Sequence, residues 1–137
     1  MQSRRSIALS IALILLTIAA GAAVRFARLG MPFTVVKYGG SALWAMAIYW
    51  MASTITGRRW LAGVLLAGGL ATGIEFFKLY HSPTMDAFRG TLPGVLVLGR
   101  YFSVWDLLAY WVAIGVGAAA DWGLRSMAED RRHAGNG

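Results

Sequence analysis

In this chain of 137 residues, 58% are hydrophobic and 14% charged, against about 25% charged in an ordinary soluble domain. Its net charge of +7 would suit nucleic acid in a soluble protein, but basic residues that flank apolar runs belong at membrane surfaces beside anionic headgroups, so no nucleic-acid partner is expected. The absence of cysteine excludes disulfides, thiolate metal sites and cysteine nucleophiles; His81 and His133 are too few for a histidine cluster, and no metal or cofactor is expected.

The first apolar segment, residues 6–24, carries no charge and follows Arg4 and Arg5. Its length approaches the roughly 20 residues that a helix needs to cross a hydrocarbon core. The same pattern fits a secretory signal with Ala20-Gly21-Ala22 as its cleavage site, but three more apolar segments follow and favour a retained helix. The second, residues 38–55, opens after Lys37, holds Trp44, Tyr49 and Trp50, and ends at the Thr56-Gly57-Arg58-Arg59 turn. The third runs over residues 60–77 and contains Gly69-xxx-Gly73 and Ala67-xxx-Ala71. Small residues at that spacing let helix backbones approach closely in lipid, and Gly69 and Gly73 are expected at such a contact.

Residues 78–102 form the one long connection, where Pro83, Gly90, Pro93 and Gly94 are expected to break regular structure. Its apolar stretch, residues 92–98, is too short to span and suits the interface or a partial dip into the membrane. The fourth segment covers residues 103–124, with Ala109, Ala113 and Gly117 as a small-residue stripe. The reading is an all-α integral membrane bundle of four transmembrane helices: one domain over residues 1–124, one long extracytoplasmic connection, and a frayed polar tail over 125–137.

Four spans place both termini on one side of the membrane. That side holds Arg4, Arg5, Arg58, Arg59, Arg125, Arg131 and Arg132; the other holds Arg25, Arg28, Lys37, Lys78, Arg89 and Arg100. The positive-inside rule makes the first side cytoplasmic, since it carries the N-terminal pair and the tight Arg-Arg turn. Trp60 and Trp122 then mark the inner interface, and Tyr80, Tyr101 and Trp105 the outer one.

The outer cations gather with Glu75, His81, Asp86 and Asp106. A carboxylate at membrane depth, as Glu75 is in GLATGIEFFKLY, costs a few kcal/mol and faces the bundle interior with a partner. Lys78 shares its helix face; Lys37 and Arg100 are within reach from neighbouring segments. Two readings stand for Glu75: a structural ion pair that clips helices together, or a ligand or proton site. Ser103-x-x-Asp106 has the form of a capping box, and Arg100 could hold an anion at that helix start. His81 reads as a solvated loop residue before it reads as a base. No HExxH, GxSxG or Walker motif is present.

Three stretches, VKYGGSALWA (36–45), IEFFKLY (74–80) and LGRYFSVWDLLAY (98–110), resemble a small bacterial membrane family of unknown function, sometimes labelled ribosomal maturation YjgA-like. More distantly, a Glu at a helix end, an Arg in the loop and Phe-Ser-x-x-Asp opening the last helix look like the VanZ-like proteins. The similarity covers about residues 24–120 and implies a four-helix inner-membrane protein whose shared polar residues gather at one end. Many such relatives carry an acidic residue where this chain has Gly40-Ser41, a departure that weighs against a metal or carboxylate-pair mechanism.

The function expected is a bacterial inner-membrane envelope protein that binds an anionic lipid headgroup or lipid-linked glycan at a cationic outer-face pocket. The ligand residues expected are Lys37, Glu75, Lys78, Arg89, Arg100 and Asp106. A membrane enzyme acting on such a lipid, with Glu75 or His81 as base, and a structural subunit of a larger complex are the alternatives. The small-residue helix faces offer surfaces for homo- or hetero-oligomers.

Overall fold

The computed structural model describes residues 5–27 and 30–137; Arg4 and Arg28 of the charge balance lie outside them. The described residues form helices and connections only: α1 (Ile7–Phe26), α2 (Phe33–Thr56), α3 (Trp60–Phe77), α4 (Pro83–Arg89), α5 (Leu92–Val97) and α6 (Val104–Gly135).

Each boundary has a local cause. Ser6 caps α1 by accepting from the Leu9 amide at 3.2 Å. α2 stops at Gly57, whose φ of +62° only glycine adopts readily, and the short turn to Trp60 folds α3 back along α2. Ser103 caps α6 through the Asp106 amide. In the long connection the two prolines begin helices where breaks were expected. Pro83 and Pro93 each lie in a first turn, where a missing N–H leaves no bond unmade, behind the caps Ser82 and Thr91.

α2 is the central helix: α1 packs on it alone, while α3 and α6 pack on it and on each other. The shared core is built of small and flat residues, Ala45 and Ala52 from α2, Ala67 and Ala71 from α3, Ala113 and Ala118 from α6, with Tyr49 and Ile114 filling the space between. Of the small-residue patterns in α3, Ala67 and Ala71 are fully buried. Gly69 and Gly73 are exposed, with nothing near the position of a Cβ, so the expected contact at those two is corrected. The closely approached glycine is Gly68, one residue away, where a Cβ would overlap the Trp111 ring. One residue turns a helix face by about 100°, and the spacing of four does not say which face packs.

The distribution of polarity is inverted relative to a water-soluble protein. Glu75, Lys78, Asp106, Asp121 and Arg125 are buried, while Leu15, Leu16, Leu65, Val112 and Val116 are exposed. Three helices, α1, α3 and α6, are long and apolar enough to cross a membrane. The fourth expected span, α2, is long enough at 24 residues but is not among the helices apolar enough to cross. α6 continues for 32 residues into the stretch read as the polar tail, roughly 48 Å at the usual rise, and Arg125 is buried within it.

Candidate functional site

At the end of the bundle where α2 and α6 begin and α3 finishes, Glu75 is fully buried and each of its oxygens is engaged. Oε1 accepts the Ser103 amide at 2.7 Å, and Oε2 accepts the Tyr110 hydroxyl at 2.8 Å and lies 2.5 Å from Lys78 Nζ. This rearranges the anticipated capping box. Ser103 Oγ still receives the Asp106 amide, at 3.4 Å, but the Ser103 N–H goes to Glu75 of α3 and not to Asp106. The Asp106 carboxylate is thereby released toward the cavity, where it accepts from Ser41 Oγ at 3.1 Å and lies 3.9 Å from Lys78 Nζ.

Above these residues is a cavity of about 350 Å³. Lys37, Lys78, Arg100 and Asp106 line it, with Glu75 behind Lys78. Arg25, at the end of α1, joins them. Cations thus outnumber carboxylates four to two, and among the described residues Arg25, Lys37 and Arg100 form no salt bridge. The roof is α5 and the residues after it. Gly99, at φ +69°, lies so close over Lys78 that a Cβ would meet its Cε at 2.9 Å.

Arg89, the remaining predicted residue, does not reach this cavity. Its guanidinium donates to the Phe77 and Tyr80 carbonyls at 2.8 and 2.6 Å, closing the C-terminal end of α3 and tying α4 to it. With His81, Asp86 and Arg100 it lines a neighbouring depression; His81 Nδ1 lies 3.0 Å from Asp86 Oδ1, and both side chains are exposed.

A second polar cluster, at the opposite end, was not anticipated. Asp121 of α6 is fully buried. Arg125 grips both its oxygens, at 3.1 and 2.9 Å, Arg5 reaches Oδ1 at 2.7 Å, and the Tyr49 hydroxyl donates to Oδ2 at 2.9 Å. Arg5 also donates to Ser10 and Ser53, and Arg125 to the Gly57 carbonyl, so three core-facing elements meet on one carboxylate. Burial lowers the Arg5 pKa from its ordinary value, and the adjacent Asp121 acts in the other direction. The signal for this cluster was an acid and a base four residues apart at the end of an apolar run, the same kind of signal that singled out Glu75 and Lys78.

Residues 30–116 match a family described as proteins of unknown function, DUF2809. The match takes in α2, α3 and the cavity residues from Lys37 to Tyr110, and ends inside α6 before Asp121. The likeness to VanZ-like proteins stays one of motif order. No solved structure matches this chain.

Proposed function

The chain belongs to the DUF2809 family of proteins of unknown function, and we propose that it is a four-helix envelope protein of the bacterial cytoplasmic membrane that binds an anionic lipid headgroup or lipid-linked glycan in the cavity at the Lys37 end. The observation that carries this reading is the charge of that cavity: Arg25, Lys37 and Arg100 line it, and among the described residues none of them is paired with a carboxylate. Uncompensated cations beside a membrane-embedded bundle attract phosphate-bearing headgroups, at about 1 kcal/mol per charge near the surface. The cavity lies in the lower part of the size range of small-ligand sites, large enough for a headgroup. Glu75 and Asp106 act from behind: they hold Lys78 and the start of α6 in place, so that the cavity wall is built before a ligand arrives.

In the four-span arrangement α2 crosses with the other three, and the cavity opens on the outer face. Arg5, Arg58, Arg59 and Arg125 then lie at the cytoplasmic end. The test compares vesicles. Phosphatidylglycerol should raise the melting temperature of the purified protein more than phosphatidylcholine does, and Lys37→Gln with Arg100→Gln should remove that difference. Equal shifts with both lipids overturn the reading.

A further inference from the structure

A second cavity, of about 280 Å³, adjoins the cationic one and shares Arg25, Trp44, Leu96 and Val97 with it. It is a groove between α1 and α2 lined by small residues, Gly21 and Ala22 on α1 and Gly40 and Ala47 on α2; Gly21 lies against Leu43, and Gly40 against the Arg25 guanidinium. Its other walls are Ile18, Phe26 and Leu43, so apart from Thr17 and the junction residue Arg25 it is apolar. It is not sealed: Ile18 is 52% and Phe26 51% exposed.

Two features identify the occupant. The first is continuity, since the polar chamber and the apolar groove meet at Arg25, which lines both. A ligand filling both has an anion at one end and a hydrocarbon at the other. The second is length. Along α1 the groove runs from Thr17 to Phe26, roughly 14 Å at the helical rise, which is about half of a hydrocarbon core of about 30 Å. One leaflet's acyl chain has that reach. We propose that the ligand is a membrane lipid whose anionic headgroup sits in the cationic cavity and one of whose hydrocarbon chains lies in the α1–α2 groove, with Arg25 on the phosphate where the two meet. The lipid enters sideways from the bilayer, past Ile18 and Phe26. This rests on the headgroup reading and adds the chain's path, which excludes a soluble anion as the ligand.

The chain has no cysteine, so single cysteines can carry a fluorophore at Ile18 and, in a separate variant, at Phe26, with Leu65 on the exposed face of α3 as control. The protein is placed in phosphatidylcholine vesicles containing a minor fraction of phosphatidylglycerol with bromine, a quencher, on its acyl chains. Quenching at Ile18 and Phe26 should exceed that at Leu65 several-fold. The excess should vanish with Arg25→Gln, and when the bromine is carried by phosphatidylcholine instead. Equal quenching at all three positions overturns the groove. If phosphatidylglycerol still raises the melting temperature in that case, the headgroup reading survives alone; if it does not, both fall. Binding of free glycerol phosphate with no excess quenching assigns the cavity to a soluble anion and also overturns the proposal.

Discussion

Three donors, from just past the end of α3 and from the cap and first turns of α6, converge on the Glu75 carboxylate, and one of them is the backbone of Ser103. A side chain of α3 therefore caps α6. These contacts tie the end of α3 to the start of α6, and in the proposed reading Glu75 positions the cavity wall. Glu75→Gln leaves the buried Lys78 with the Tyr110 hydroxyl and, as its one carboxylate among the described residues, the more distant Asp106, and it should lower stability in detergent by about 3 kcal/mol, the lower end for breaking a buried pair. Thermal melting with and without phosphatidylglycerol checks this; an unchanged melting temperature would mean that the pair carries no structural load. The sequence singled out Glu75, Lys78 and Asp106 because charges inside apolar runs are conspicuous. It did not rank Arg25 above the other cations, because only the packing of α1 on α2 brings it to the same cavity. Arg89 was chosen for its charge, but its donors had nearer acceptors in the open carbonyls ending α3.

At the scale of the helices, hydrophobic length was legible and packing face was not. Segments read as residues 6–24, 38–55 and 60–77 correspond to α1, α2 and α3 with small shifts of their ends, since uninterrupted apolar runs and the turn glycine leave little choice. The two short helices of the connection were missed, because a proline signals a helix start as readily as a break and only the preceding Ser or Thr cap distinguishes them. The face of α3 gives a direct test. Gly68→Leu should destabilise by about 1–3 kcal/mol, because the added atoms meet the Trp111 ring. Gly69→Leu and Gly73→Leu should melt like the parent, because their surroundings are open. If the three variants lose stability equally, the assigned face of α3 is wrong.

The whole molecule is a bundle with an apolar waist of small residues and a closed polar network at each end, Glu75 with Lys78 at one and Asp121 with Arg5 and Arg125 at the other. Orientation is tested with single cysteines at Thr84 and Asn136 and a membrane-impermeant maleimide. In spheroplasts, Thr84→Cys should label and Asn136→Cys should not; the opposite pattern inverts the proposed topology. The bond between Arg5 and Asp121 joins residues 116 positions apart, and this separation bears on how the protein is made. Synthesis is vectorial, so Arg5 emerges first and waits for its carboxylate until the last long helix has left the ribosome. Until then Arg5, Ser10 and Ser53 hold an unfinished socket, and α1 is attached to the nascent bundle through α2 alone. An Asp121→Asn chain should accordingly have a shorter half-life in a pulse-chase experiment than the parent, as the finished chain keeps the socket that membrane proteases meet in an unfinished one.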